Sequence, residues 1–159
     1  NMDMINGKKK PLNFFVKISE YFKEGVDYNI YVSFLNNTPI AGLLVFYYKD
    51  MVEYFVPVIK NEYRSTQALS LAIFTAMRDA YNMGYRLWNW GGTHIDQINL
   101  INFKKKWANQ LKTYDYIILF NKNKKEILKN EEIFKVVKDY FDYFYIFPFN
   151  RIEEFLMEK

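Results

Sequence analysis

The chain has 159 residues, of which half are apolar and a fifth aromatic, and its formal net charge is +4. This length suits one packed core, and the composition is that of a globular protein. The absence of cysteine excludes disulfides, thiolate metal sites and a cysteine nucleophile, and it favours a reducing, cytoplasmic setting. No apolar run is long enough to cross a bilayer, so we expect no membrane span.

The first part of the sequence predicts one helix and three strands. Leu12 to Glu24 carries apolar residues at helical spacing and is followed by Gly25, a residue typical of helix ends. Three strand-like runs come next, and the short polar connections between them predict an antiparallel meander. These runs are Tyr28 to Leu35, Ile40 to Tyr48 and Met51 to Ile59.

The next part predicts a helix that crosses over to a parallel strand. Ser65 or Thr66 can cap a helix that continues to about Met83, with Gly84 after its end. The crossover requires the following strand to run parallel to the third strand and beside it. The remaining predicted elements are the strand Arg86 to Trp90, a shorter helix Ile98 to Trp107, a strand Tyr114 to Phe120 and a mainly helical segment Lys125 to Lys159.

Three short motifs accompany this order of elements: Gly84-Tyr85, then Trp90-Gly91-Gly92-Thr93, then Phe103-Lys104-Lys105-Lys106-Trp107. Together they resemble the C-terminal GNAT-like domain of the FemABX-type peptidoglycan bridge enzymes, in which a strand ends in a glycine pair and a Phe-Lys-Lys motif follows. The resemblance implies a mixed α/β fold over residues 1–159, with an antiparallel meander, a helix crossover, a parallel strand pair and helices on both faces. Because the chain begins with asparagine, this single domain is consistent with excision from a two-domain protein.

The resemblance implies an N-acyltransferase that moves an acyl or aminoacyl group to an amine of a cell-wall or surface-glycan precursor. The donor would be an acyl-coenzyme A or an aminoacyl-tRNA, with no covalently bound cofactor and no metal. A second GNAT-like domain or a second copy of the chain would complete the cleft. The alternative is a noncatalytic GNAT-like module for ligand recognition or support. No DNA-recognition motif is present.

Four residues are candidates for the chemistry of transfer. Negative charge grows on the carbonyl oxygen during acyl transfer, and the family motif places Lys104 and the backbone beside Phe103 near that oxygen. A base must also accept a proton from the attacking ammonium. Glu53, a charged residue in an apolar strand, and His94, in the loop after the glycine pair, are the candidates. A half-exposed strand position and a solvated loop are the structural alternatives for these two residues.

Two further groups of residues are candidates for binding. The segment Arg64-Ser65-Thr66-Gln67 precedes the central helix, where backbone amides can hold a diphosphate, although it lacks the glycines that usually form such a loop. Gly91, Gly92 and Thr93 either contact substrate or form a tight turn. Lys105 is assigned to substrate binding or to surface charge. The segment from Ile101 to Lys125 contains seven lysines and one acidic residue. This excess of positive charge suits a phosphate-bearing donor or acceptor.

Overall fold

A computed structural model describes residues 10–93, residue 95 and residues 97–114. Contacts divide the chain after Thr93 into two compact units. The first contains helices α1 (Leu12–Tyr21) and α2 (Ala68–Asn82) and strands β1 (Tyr28–Leu35), β2 (Thr38–Tyr48), β3 (Met51–Ile59) and β4 (Leu87–Asn89). The described part of the second contains helix α3 (Ile98–Lys105). A single domain over residues 1–159 stays a prediction.

The sheet has the order β1-β2-β3-β4, with the first three strands antiparallel and β4 parallel to β3. The meander and the crossover predicted from the sequence are therefore confirmed. The turn between β1 and β2 consists of Asn36 and Asn37, whose φ angles are 48° and 62°. Asparagine tolerates this left-handed conformation, which the favoured two-residue hairpins need at both positions. β2 consequently begins two residues earlier than predicted, at Thr38.

The two helices of the first unit cover opposite faces of the sheet. Ile18 of α1 is buried against Tyr28 and Leu44. Ala68, at the start of α2, is buried with Ala41, and its carbonyl accepts a hydrogen bond of 2.8 Å from Ser33 Oγ. Because side chains alternate across a strand, Leu44 and Ala41 point to different faces. The central strands are thus covered on both sides, and the largest fully buried side chains are those of Leu43, Val45, Val52 and Ile73.

The predicted end of the first helix is wrong by three residues. α1 ends at Tyr21, and Phe22 is already extended, with φ of −127°. The ring of Phe22 packs on Phe46 with centroids 5.5 Å apart, and the Lys23 N–H donates to the Asp27 carboxylate at 2.8 Å. These contacts replace the last turn of the predicted helix. Gly25, with φ of +78°, lies in the turn that leads into β1.

Other predicted boundaries also change. β4 covers only Leu87–Asn89 of the predicted strand, and α3 ends at Lys105, before the predicted end at Trp107. The prediction for the end of α2 is confirmed, because Gly84 follows the helix with φ of +91°. The predicted strand beyond Tyr114 and the predicted helical segment from Lys125 to Lys159 lie outside the described residues. Within the described part, no helix is long and apolar enough to cross a membrane.

Candidate functional site

The pairing of β3 with β4 ends after three residues. The pairs join Met51–Glu53 of β3 to Leu87–Asn89 of β4, whereas β3 continues to Ile59. Next to this point Val45 pairs with Tyr54 and Leu44 with Val56, so Phe55 is an extra residue in a β-bulge. A bulge bends its strand and interrupts its ladder. The strands therefore form a fork, which we define by Glu53, Asn89 and the following Gly91.

Glu53 lies at the base of the fork and is half-buried. It pairs with Asn89, whose Oδ1 accepts a hydrogen bond of 3.0 Å from the Gly91 N–H. Gly91 has φ of +66°, and a Cβ atom built on it would lie 3.4 Å from Glu53 Oε1. Glycine thus fits for two reasons, its backbone conformation and the proximity of a carboxylate. The structure brings together two predicted site residues, Glu53 and Gly91.

Asn89 is a residue of the fork that sequence analysis missed. Its side chain bonds the backbone two residues further on, the local pattern by which asparagine forms a turn. The asparagine two positions before Gly91 was therefore a usable signal in the sequence. Its effect is to fix the turn in which Gly91 lies near the Glu53 carboxylate.

An aromatic cluster of Tyr54, Trp88 and Trp90 occupies the other face of the sheet at the fork. Ring centroids are 4.9 Å apart for Tyr54 and Trp90, 5.8 Å for Trp88 and Trp90, and 6.5 Å for Tyr54 and Trp88. Burial raises the pKa of the Tyr54 hydroxyl above its usual value. Tyr54 therefore remains a neutral hydroxyl throughout the physiological pH range.

The start of α2 differs in detail from its prediction. A short 3₁₀ helix, Asn61–Thr66, leads to Gln67, which occupies the N-cap position with φ of 58° and makes no side-chain capping bond. The Thr66 Oγ1 instead accepts a hydrogen bond of 3.3 Å from the Ala68 N–H and donates one of 2.6 Å to the Tyr63 carbonyl. The N-cap predicted at Ser65 or Thr66 is therefore wrong, although Thr66 satisfies one helix amide.

The loop before α2 contains a left-handed backbone conformation at Gln67, a residue other than glycine. Gln67 takes the conformation that glycine most readily adopts, and its side-chain Oε1 accepts a hydrogen bond of 3.0 Å from Ser70 Oγ. Arg64 and Ser65 are exposed on the same loop. The first amides of any helix lack partners within the helix, so this surface combines exposed polar side chains with a helix N-terminus. An anion is the ligand that such a combination favours.

The remaining candidates lie at or beyond the division of the chain. Gly92 is exposed and Thr93 half-buried at the end of the first unit. In α3 the side chain of Lys104 is half-buried and that of Lys105 exposed, and their different roles stay predictions. Phe103 contacts Trp107, with ring centroids 6.5 Å apart. His94 lies outside the described residues.

The described residues contain no group of three or more acidic or histidine side chains that could hold a metal ion. The fork offers instead a carboxylate, a left-handed glycine and an aromatic wall. The Glu53 carboxylate can accept a proton from a ligand that lies beside it.

Comparison with protein families finds one that is described as an acetyltransferase (GNAT) domain, which matches residues 7–105. This range includes β1–β4, both helices of the first unit and α3. A search of curated proteins found no match.

Several solved structures share this fold at low sequence identity. An aminoglycoside acetyltransferase from an uncultured soil metagenomic sample, in complex with sisomicin, has a TM-score of 0.54 and 12% identity, with 76% of this chain and 81% of that chain covered. A ribosomal-protein-alanine N-acetyltransferase from Brucella melitensis biovar Abortus 2308 has a TM-score of 0.53 and 8% identity, with 71% and 82% covered. AAC(6')-Iy in complex with the bisubstrate analogue CoA-S-monomethyl-acetylneamine has a TM-score of 0.52 and 11% identity, with 70% and 80% covered.

Proposed function

The chain belongs to the GNAT acetyltransferase family, and we propose that it transfers an acyl group from acyl-coenzyme A to an amine. The observation that carries this proposal is the fork: the pairing of β3 with β4 ends at Glu53 and Asn89, whereas β3 continues to Ile59. An extended ligand would run along this further part of β3. The Glu53 carboxylate lies where the pairing ends.

The length of β3 beyond its pairing with β4 suits an extended donor. β3 extends about 20 Å beyond Glu53, the last residue paired with β4, because six further residues follow at about 3.3 Å each. The chain then passes through the 3₁₀ helix to the start of α2. Diphosphate oxygens would bind at this helix start, where Arg64, Ser65 and the left-handed Gln67 lie. The pantetheine arm would follow β3 toward Glu53.

Glu53 is the proposed base for the attacking amine. An ammonium must lose a proton before its nitrogen can attack a thioester carbonyl, and a carboxylate at the base of the fork can accept that proton. Asn89 is the proposed positioning residue, because it pairs with Glu53 and its side chain fixes the turn at Gly91 beside the carboxylate. Lys104 is the proposed cation for the developing oxyanion, and its motif with Phe103 is the support for that role.

For the acceptor we propose an amine of a cell-wall or surface-glycan precursor. The support is the resemblance of Gly91-Gly92 and Phe103-Lys104 to the FemABX-type motifs, which also makes aminoacyl-tRNA the alternative donor. A second GNAT-like domain or a second copy would then complete the acceptor side. Exposed apolar residues of β1 on the α1 face, Ile30, Val32 and Phe34, are the proposed contact surface.

Ligand-dependent stability tests the proposed donor. A ligand that binds only the folded state at 100 times its Kd stabilises it by about 2.7 kcal/mol, which corresponds to a Tm increase of about 5–10 °C for a chain of this length. We expect this increase with acetyl-coenzyme A and with coenzyme A. No increase with any coenzyme A species, together with an increase on addition of aminoacyl-tRNA, would contradict the proposed donor.

Turnover tests the proposed enzyme activity. Transfer to a panel of amines, including amino sugars and peptidoglycan-type peptides, should fall about 100-fold or more in Glu53→Gln, because general-base catalysis contributes at least that factor. Glu20→Gln, on the exposed surface of α1, is the matched control and should keep the wild-type rate. Coenzyme A binding without transfer to any amine would favour the noncatalytic module instead.

A further inference from the structure

The side chain of Trp88 has a buried nitrogen atom without a hydrogen-bond partner in the described part of the chain. Its indole Nε1 is buried and has no hydrogen-bond partner, and no other buried side-chain nitrogen or oxygen there shares this property. Leaving a buried donor unpaired is energetically unfavourable. Such groups are rare in folded proteins and call for a specific explanation, such as a ligand acceptor or a bound water.

The position of Trp88 relates this donor to the fork. Trp88 pairs with Val52, one residue before the last pair of the two strands. Its ring lies 6.5 Å from that of Tyr54, the first β3 residue beyond the pairing. The indole is therefore beside the base of the fork, on the face opposite to the Glu53 carboxylate.

The surroundings of Trp88 define the kind of acceptor that would suit it. Its ring neighbours are Trp90 and Tyr54, and burial keeps the Tyr54 hydroxyl uncharged by raising its pKa. An anion in this aromatic setting would lose hydration without gaining a counter-charge. A neutral carbonyl oxygen needs one donor, and an indole N–H supplies one. The exclusion of water by the rings strengthens such a bond.

We infer that the Trp88 Nε1–H donates a hydrogen bond to an amide carbonyl of the pantetheine arm of the acyl donor. This inference rests on the proposed function, since it requires a coenzyme A ligand in the fork. The diphosphate belongs at the start of α2, and β3 alone runs about 20 Å from Glu53 to Ile59 before that helix, so the amide carbonyls of the arm are the acceptors that can reach Trp88. The bond fixes the depth at which the arm sits in the fork.

The test compares two ligands that differ by the arm. Coenzyme A contains it, whereas adenosine 3′-phosphate 5′-diphosphate has the same nucleotide and diphosphate without it. Replacing the indole of Trp88 by benzothiophene keeps the bicyclic shape and removes the N–H. We expect coenzyme A to bind about tenfold more weakly to this variant, the size of one hydrogen bond, and adenosine 3′-phosphate 5′-diphosphate to bind as it does to the wild type, both measured by calorimetry.

Stability without ligand provides a second readout. Because the donor is unpaired in the free protein, the benzothiophene variant should unfold at the same temperature as the wild type or a higher one. A structural hydrogen bond to a fixed water would instead make this variant less stable. If the variant does not fold, Trp88→Phe is used, and the ratio of its affinities for the two ligands is compared with that of the wild type.

The outcomes separate this inference from the proposed function. A wild-type protein that binds coenzyme A with an affinity ratio unaffected by loss of the Trp88 N–H would overturn the inference and leave the proposed function standing. A wild-type protein that binds neither ligand would overturn both. Selective loss of affinity for coenzyme A, with unliganded stability kept, is the result that supports the bond to the arm.

Discussion

Substitution of Gly91 by alanine tests the structural basis of the fork. Gly91 has φ of +66°, and a Cβ atom there would lie 3.4 Å from Glu53 Oε1. The left-handed conformation costs a residue with a Cβ about 1 kcal/mol. This is equivalent to a Tm decrease of about 2–4 °C in a chain of this length. Contact at 3.4 Å requires no larger rearrangement, so the variant should fold.

Gly84→Ala is the matched control for this substitution. Gly84 has φ of +91°, and a Cβ atom there would meet no atom within 4 Å. The backbone strain should therefore be similar in the two variants, whereas only Gly91→Ala places a methyl group against the carboxylate. That methyl group excludes water from Glu53 and disfavours its charged form. We expect the acid limb of the pH–rate profile of Gly91→Ala to move to higher pH than that of the wild type.

Two measurements decide the outcome: thermal unfolding for the strain, and the pH dependence of kcat/KM for the carboxylate. Gly84→Ala should show the stability loss with a wild-type pH profile. Equal pH profiles in the two variants would refute the reasoning that Gly91 acts through Glu53. A Gly91→Ala protein as stable as the wild type would refute the assigned backbone conformation.

Three other predictions concern α3, the start of α2 and the aromatic cluster. Lys104→Met should lower turnover by about 100-fold or more, the scale of a lost oxyanion donor. Lys105→Met should change turnover little, because the exposed charge of Lys105 is screened. Equal turnover in the two variants would mean that the Lys104 motif has a structural role only. Thr66→Ala should destabilise by about 1 kcal/mol in urea unfolding, and Ser65→Ala, which removes no described hydrogen bond, should not. Burial raises the pKa of Tyr54, so the contribution of this side chain to stability is complete below the usual tyrosine pKa of about 10. Above that pH the free energy of unfolding decreases, by up to about 1.4 kcal/mol per pH unit. Tyr54→Phe should flatten this decrease in urea unfolding between pH 9 and 11.5.

Local sequence signals were sufficient for most elements of the first unit. β1 and β3 have the predicted bounds, because apolar and β-branched residues between turn-forming pairs specify a strand without reference to the rest of the chain. The parallel position of β4 also followed from the sequence, since a helix between two neighbouring strands returns the chain to the end of the sheet where the first strand began. The end of α1 did not follow, because the contact of Phe22 with Phe46 outweighs one further helical turn.

The candidate site was only partly accessible from the sequence. Glu53 and Gly91 were selected as separate candidates, one for its charge in an apolar strand and one for its place in a glycine pair. Their proximity depends on the register of β3 and β4 and on the bulge at Phe55. The left-handed Gln67 and the unpaired Trp88 donor likewise arise from how separate elements meet. A sequence determines such elements through local periodicity and turn preference, whereas distances between side chains of different elements are set only when the strands pair and the core packs.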